Sequence, residues 1–237
     1  MNDPNIVPSG VLLVDKDPGM TSHDVVAIAR RSMGIKKIGH CGTLDPMATG
    51  LLMLVVGRAT KIQDLLMSED KQYVGTITLG ATTTTQDAEG DTIEEREVGA
   101  LSEEEIRAAF EKYSGNFEQI PPMVSAIKKD GVPLYKLARK GKEVKRDPRP
   151  VYVTNYELTR VSLPQIDFTV NCSKGFYVRS YAHDIGATLD CGGHLSALRR
   201  TRSGEFTLER AVGVDDLKGG EAEELINSMV SLAAVSY

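Results

Sequence analysis

One short loop holds the residue types that catalysis by a carboxylate requires. It runs from Gly39 to Gly50 and contains one acid, Asp45, together with His40 and several glycines. The apolar run 51–56 follows directly and predicts a buried strand. A carboxylate on a tight loop against such a strand is held in place and partly desolvated, so Asp45 is a candidate nucleophile or general base. Asp-Pro and glycine are equally typical of an ordinary turn, and the residue types alone leave both interpretations open.

The order of residues in this loop resembles the catalytic signature of the tRNA pseudouridine synthase B (TruB) family. The matching pattern is Gly-His-x-Gly-x-Leu-Asp-Pro-x-Ala-x-Gly, at residues 39–50. Members of this family isomerise the uridine at position 55 in the T-loop of tRNA. The resemblance extends roughly from Gly10 to Asp215, and it implies that Asp45 is the catalytic aspartate.

Two further motifs of the same family follow along the chain. Lys71-Gln-Tyr73 matches the second motif, whose tyrosine stacks on the target uracil. Ser-Lys-Gly-x-Tyr-x-Arg, ending at Arg179, matches the third motif. Without the resemblance, Tyr73 would be interpreted as strand packing and Arg179 as a surface residue. By resemblance, the Arg179 guanidinium keeps the Asp45 carboxylate ionised by opposing the cost of desolvation.

The remaining pocket residues are also implied by the resemblance. The target uridine is stacked inside a folded loop, so it must be flipped out before it can react. His40 matches the histidine that fills the vacated space, and Tyr177 and Leu198 are expected to line the pocket.

A basic segment is expected to bind the RNA. The net charge of the chain is −5, but residues 127–150 hold nine Lys or Arg against three acids, whereas residues 86–105 hold nine acids and one Arg. A basic face of this kind binds phosphates, and in the family the corresponding insertion clamps the T-arm. The candidate contacts are Lys136, Arg139, Lys140 and Lys142. A solvated surface hairpin is the alternative.

These residues must be positioned by an α+β fold, because runs of strands are interrupted by helices. The resemblance refines this to the pseudouridine-synthase fold, a mixed and mostly antiparallel central sheet flanked by helices and loops. The predicted strands cover 11–15, 51–56, 71–79, 151–160, 166–172 and 204–208. Two predicted helices begin after the caps Thr21 and Ser102, and three more cover 60–66, 180–189 and 214–217. Residues 80–90 are predicted to form a loop.

The predicted domain organisation is a catalytic domain over residues 1–215 and a short tail over 216–237. The family typically continues into a small C-terminal RNA-binding barrel. The remaining tail is too short for several strands of about 5–6 residues with turns. Residues 221–230 instead predict one amphipathic helix, with Leu225, Ile226 and Met229 available for packing.

Composition argues against several other classes of protein. The three cysteines and four histidines show no ligand spacing, and neither GxGxxG nor GxxxxGK occurs, so we expect no metal and no cofactor. No apolar run approaches the roughly 18 residues of a membrane span, and no basic segment precedes Lys16 as in a secretory signal. We therefore expect a cytoplasmic monomer that needs no protein partner.

Two alternative functions remain open from the sequence. One is the related guide-RNA-dependent branch, which modifies ribosomal RNA and carries extra RNA-binding and partner-binding segments. The other is an RNA chaperone that folds tRNA without chemistry. A chaperone needs the basic segment but not Asp45, Tyr73 and Arg179, so the presence of all three favours an enzyme.

Overall fold

The computed structural model describes residues 8–234, so the outermost ends of the predicted domains at 1–7 and 235–237 lie outside the described residues. The chain forms two compact units. The first comprises Met1–Tyr73 and Arg199–Tyr237, and the second is Val74–Leu198. The chain passes from one unit to the other within two of its strands.

Strands predominate over helices along the described residues. In chain order the strands are β1 Gly10–Lys16, β2 Ile38–Cys41, β3 Thr49–Val56, β4 Lys71–Leu79, β5 Ala81–Thr83, β6 Thr92–Glu95, β7 Gly115–Gln119, β8 Lys128–Lys129, β9 Val132–Pro133, β10 Arg149–Ser162, β11 Gln165–Cys172, β12 Gly193–Ser203, β13 Phe206–Thr207, β14 Val212–Gly213 and β15 Val230–Ser231. The α-helices are α1 Ser22–Met33, α2 Gln63–Met67, α3 Glu103–Glu111, α4 Leu134–Ala138, α5 Val178–Thr188, α6 Val214–Gly219 and α7 Ala222–Ser228.

In the first unit, β1 and β3 form the centre of the sheet. They pair antiparallel over the whole of β1, from Gly10 opposite Val56 to Lys16 opposite Gly50. On its other edge β3 pairs with β2 and with the end of β12, and β1 pairs with β14 and β15. Nearly every residue of β3 is buried, because both faces of the strand are covered. This explains why the sequence 51–56 is a continuous apolar run rather than an alternating one.

Helix α1 covers part of this unit and has well-defined ends. Thr21 and Asp24 form a reciprocal capping box at its start, and Gly34 ends it in the left-handed conformation with φ of 66°. Its apolar side chains at Val25 and Ala29 are fully buried. Helices α6 and α7 both pack against α1.

The second unit is built on the order β4, β11, β10, β7. In β4, Tyr73 is the last residue of the first unit and the alternate residues Gly75, Ile77 and Leu79 are buried, as the sequence pattern predicts. Helices α3 and α5 bring aromatic rings to this sheet: Phe110, Phe168 and Tyr181 contact one another at centroid distances of 5.6–5.9 Å.

The predicted α+β fold with a mostly antiparallel sheet is confirmed, but several local predictions were wrong. Residues 80–90, predicted as a loop, include β5, which pairs with β6; all of β6 is exposed, so no apolar alternation marks it. Residues 204–208 yield only the two-residue β13 after a turn. The predicted helix 60–66 is a 3-10 turn over Gly57–Ile62 followed by α2.

The C-terminal segment was also only partly predicted. The predicted helix 221–230 ends early, at Ser228, and buries Leu225. Val230 then pairs with Val11 as part of β15 and is buried. The free edge of β1 therefore overrides the helical pattern at the end of the segment.

Candidate active site

Asp45 lies on the loop that joins β2 to β3 in the first unit. The loop turns at Pro46 and Met47, and the Asp45 carbonyl accepts a hydrogen bond from the Ala48 amide at 3.0 Å. Asp45 is half-buried, whereas its neighbours Leu44 and Ala48 are fully buried. The carboxylate therefore stands on a fixed backbone at a partly desolvated position, as the sequence predicts.

Side chains on two other elements anchor the middle of this loop. The Ser22 hydroxyl, in the first turn of α1, accepts a hydrogen bond from the Leu44 amide at 2.9 Å and donates to the Leu44 carbonyl at 3.2 Å. The fully buried Lys16, at the end of β1, donates to the Pro46 carbonyl at 3.1 Å. The residues immediately before and after Asp45, Leu44 and Pro46, are therefore each held by a buried polar side chain.

A third anchor is Arg200 on β12, which sequence reasoning missed. Its Nε donates to the Leu51 carbonyl at 2.7 Å and its Nη2 donates to the Gly42 carbonyl at 3.0 Å. Arg200 is 1% exposed. The pair Arg199-Arg200 was visible in the sequence, but no pattern distinguished a buried arginine from an exposed one.

His40 and Tyr73 also belong to the first unit. His40 lies on β2, where burial, with the nearby charges of His23 and Arg200, lowers the pKa of its imidazole. Its Nδ1 is buried and has no hydrogen-bond partner within residues 8–234. Tyr73 is 9% exposed on the buried face of β4. Cys41 follows His40 on β2, and burial raises the pKa of its thiol to about 11. The thiol is therefore protonated near neutral pH and is not a nucleophile there.

In the second unit, Arg179 lies in the first turn of α5 and is 3% exposed. Its Nη1 donates to the Thr85 carbonyl at 2.9 Å, and its Nη2 donates to the Val124 carbonyl at 2.7 Å. The interpretation of Arg179 as a surface residue, which its residue type alone would favour, is therefore wrong. A guanidinium held by two carbonyls has a fixed direction, which a positioned cation requires.

Asp87 is a second residue that sequence reasoning missed. Its Oδ2 lies 3.6 Å from the Nε of Arg179, and both side chains are 4% exposed. Its Oδ1 accepts hydrogen bonds from the Thr85 hydroxyl and, at 3.1 Å, from the Glu89 amide. In the sequence Asp87 is one of nine acids between residues 86 and 105, and nothing there marks it as the buried one.

Tyr177 and Leu198 are both in the second unit. Tyr177 precedes α5 and is held by Gln119, which accepts from the Tyr177 amide at 2.8 Å and donates to its carbonyl at 3.0 Å. Leu198 lies on β12 and is 8% exposed. Gln119 is thus a further positioning residue, found only in the structure.

The basic segment 127–150 lies within the second unit. It contains the two-residue strands β8 and β9 and the short helix α4, whose Leu134 is buried. The four predicted phosphate contacts are all exposed: Lys136, Arg139, Lys140 and Lys142. A cavity of about 120 Å³ is lined by five further cations, by one acid, Asp147, and by apolar residues; the cations are Lys128, Lys129, Lys145, Arg146 and Arg149. These five cations belong to the nine Lys or Arg that the sequence places in residues 127–150.

Within residues 8–234 no three His, Cys, Asp or Glu side chains are grouped closely enough to hold a metal ion. The same part of the chain contains no helix that is long and apolar enough to span a membrane.

The fold and the Asp45 loop define the class of a pseudouridine synthase. Consistent with this, the chain matches a chain of a solved Cbf5–Nop10–Gar1 complex at a TM-score of 0.71 and 30% identity, over 94% of this chain and 60% of that chain. It matches a chain of an archaeal box H/ACA Nop10–Cbf5 complex at a TM-score of 0.69 and 29% identity, over 94% of this chain and 59% of that one.

The sequence comparisons identify the family. The model of the TruB family pseudouridylate synthase N-terminal domain matches residues 30–178, and that of the tRNA pseudouridylate synthase B C-terminal domain matches residues 179–231. A protein of Opitutus terrae named tRNA pseudouridine synthase B is 53% identical over 93% of this chain and 92% of its own length. A protein of the same name from Syntrophotalea carbinolica is 47% identical over 95% of this chain and 74% of its own length. The chain belongs to the TruB family of pseudouridine synthases, as its motifs predicted.

Proposed function

We propose that this protein isomerises uridine 55 in the T-loop of tRNA to pseudouridine. The observation that carries the proposal is the half-buried Asp45 on a loop whose backbone is anchored by Ser22, Lys16 and Arg200. Relatives at 47–53% identity that are named tRNA pseudouridine synthase B support tRNA as the substrate.

The reaction breaks the N1–C1′ bond of the target nucleoside and forms a C5–C1′ bond, while C5 loses a proton and N1 gains one. No electron is gained or lost overall, so we expect no redox cofactor, and the absence of ligand spacing among the cysteines and histidines leads us to expect no metal. We assign to Asp45 the carboxylate that acts as nucleophile or anionic stabiliser. We assign to Tyr73 the stacking face for the uracil and the relay of the C5 proton, and to Arg179 the charge that keeps Asp45 ionised.

Base flipping accounts for the remaining pocket residues. We propose that His40 fills the space that the uridine leaves and that Tyr177 and Leu198 line the pocket. Burial lowers the pKa of His40, so the imidazole is uncharged near neutral pH and enters a base stack without a desolvated charge.

We propose that segment 127–150 binds the T-arm through Lys136, Arg139, Lys140 and Lys142. Their accessibility supports this role, since phosphate contacts need accessible cations. We further propose that residues 1–215 form the catalytic domain and 216–237 a tail, and that the protein acts in the cytoplasm as a monomer without a protein partner.

The primary experiment is incubation of the purified protein with an unmodified tRNA transcript, followed by chemical mapping of pseudouridine. We expect one modified position, 55, and no product with the Asp45→Asn variant. A modified position elsewhere, or none, would contradict the proposal. An isolated T-arm hairpin tests the binding mode: a kcat/KM within about tenfold of that for full tRNA, or about 1.4 kcal/mol, is expected if the T-arm is the recognised element.

The two alternatives predict different results in the same assay. A guide-dependent enzyme would modify ribosomal RNA only when a guide RNA is added. The matching chains of the two Cbf5 complexes are 29–30% identical to this chain, below the 47–53% of the relatives named tRNA pseudouridine synthase B. A chaperone without chemistry would accelerate tRNA folding equally well with Asp45→Asn and would leave no pseudouridine.

A further inference from the structure

Arg200 is a cation buried in the first unit. It is among the largest fully buried side chains of the described residues. Its two side-chain hydrogen bonds go to the carbonyls of Gly42 and Leu51, and among residues 8–234 it forms no ion pair with a carboxylate. Burying a guanidinium in this way is unfavourable unless its hydrogen bonds are made. The arrangement therefore favours only a backbone geometry that presents both carbonyls.

The two carbonyls belong to opposite ends of the Asp45 loop. Gly42 comes three residues before Asp45 and Leu51 six residues after it, so one planar group ties the ends of the loop together. A guanidinium suits this task because its donors are fixed in one plane, whereas a lysine offers a single nitrogen on a flexible stem.

The backbone of the same residue restricts the loop as well. Arg200 pairs with Gly50 in the parallel register of β12 and β3. Gly50 has a φ of +94°, and a Cβ at this position would overlap the Arg200 carbonyl. Gly42, with a φ of +74°, lies against the guanidinium, 3.1 Å from Nη1 to an ideal Cβ. Two of the three glycines of the signature, Gly42 and Gly50, are thus explained by their positive φ and by the close approach of Arg200.

We propose that Arg200 is a positioning residue of the reaction: it closes the loop 42–51 and thereby sets where the Asp45 carboxylate stands. The proposal rests on the proposed function, in which Asp45 acts on the target uridine. The charge of Arg200 also acts on β2, since it contributes, after burial and His23, to the lowered pKa of His40. The effect on catalysis is geometric, because a displacement of the order of 1 Å at a reacting group costs up to about a hundredfold in rate.

The test compares Arg200→Met, Arg200→Lys and a matched control, Arg199→Met. Arg199 is the preceding residue of β12, but its side chain is 41% exposed and pairs with Asp15 at 2.6 Å. Each variant is assayed for melting temperature, tRNA affinity, single-turnover rate at saturating enzyme and hydrogen exchange of the peptide 42–51. All assays are run well below the melting temperature, so that only folded protein is compared.

We expect Arg200→Met to lower the single-turnover rate by roughly a hundredfold and Arg200→Lys by roughly tenfold, because lysine restores the charge but only one of the two bonds. The tRNA affinity should stay within about threefold of wild type. Hydrogen exchange of the loop amides should be faster than in the wild type for Arg200→Lys and faster still for Arg200→Met. Arg199→Met should leave the rate unchanged, although the Arg199 side chain also makes a long contact, 3.5 Å, with the Thr49 hydroxyl at the end of the loop. A purely structural role would lower the melting temperature and leave the rate of the folded variants intact.

Three outcomes would overturn the proposal. The first is a folded Arg200→Met or Arg200→Lys that reacts at the wild-type rate. The second is a rate loss without faster loop exchange. The third is failure of both variants to fold, which would make Arg200 a requirement of the fold rather than of the loop. If instead the wild type makes no pseudouridine, or Asp45→Asn does, the proposed function itself fails, and this result is distinct from all three.

Discussion

The Asp45 loop and the basic segment 127–150 serve different physical requirements. The loop is anchored by buried polar side chains from α1, β1 and β12, and each donates to or accepts from its backbone. The basic segment holds its short helix by the buried Leu134 and leaves its predicted phosphate contacts accessible. A reacting carboxylate needs one geometry, whereas attraction to phosphates depends on charge more than on exact placement. Substitutions in the two regions should therefore have different effects.

The largest effect is expected at Asp45 itself. Asp45→Asn keeps the size of the side chain but removes the carboxylate to which we assign the chemistry, so pseudouridine formation should be abolished while tRNA affinity stays within a few fold. Rapid-quench measurement on purified protein checks the first point and filter binding the second. Turnover at even about a hundredth of the wild-type rate would show that Asp45 does not carry the chemistry.

Arg179 tests whether the second unit also contributes fixed geometry. Arg179→Lys keeps the charge but loses the fork that reaches the Thr85 and Val124 carbonyls. We expect the rate to fall by roughly a hundredfold with little change in affinity. Arg96→Lys, at an exposed arginine of the same unit, is the control and should react normally.

Asp87 should show a weaker form of the same effect. Asp87→Asn retains the hydrogen-bonding shape and removes the charge that faces Arg179. We expect a rate loss of roughly tenfold, smaller than that of Arg179→Lys, because Arg179 keeps both of its carbonyl partners. Equal losses from the two variants would show that the charge of Asp87, and not the fork of Arg179, sets the geometry.

The basic segment should respond in affinity rather than rate. Alanine at Lys136, Arg139, Lys140 and Lys142 should weaken tRNA binding and flatten its salt dependence by up to about 0.9 in log–log slope for each lost phosphate contact. The rate at saturating enzyme should be retained. A matched set of exposed cations outside the segment serves as control: Arg31, Lys112, Arg160 and Lys218. Equal slopes for the two sets would remove the distinction between the regions.

The smallest effect is expected in stability, at Asp184 on α5. Burial raises the pKa of its carboxyl to about 6, above the value of 3.8 for an unperturbed aspartate. The folded state therefore binds the proton more tightly, and stability is lost as the pH rises from about 4 to above 6. Asp184→Asn should raise the melting temperature at pH 7 and make no difference near pH 4. Glu157→Gln, at an exposed carboxylate of the same unit, should show no such pH dependence.

Much of the fold was predictable because its signals are local. The capping box at Thr21 and Asp24 forms as expected, and the alternation from Tyr73 to Leu79 marks a half-buried strand. The predictions that failed concern short segments. Val230 leaves the helical pattern because β1 offers a free edge, and the exposed β6 has no apolar alternation at all.

By itself, the sequence determined the family and the candidate reacting groups, because the spacing of Asp45, Tyr73 and Arg179 within motifs is a property of the chain. Only the tertiary structure decided which polar groups are buried. Arg200, Lys16 and Asp87 resemble surface residues in the sequence, yet each is nearly inaccessible. Burial depends on contacts between segments far apart in the chain, such as Arg200 with Gly42, and no local pattern encodes such a contact. The candidate reacting groups could therefore be proposed from the sequence, whereas the buried groups that anchor the backbone around them could not.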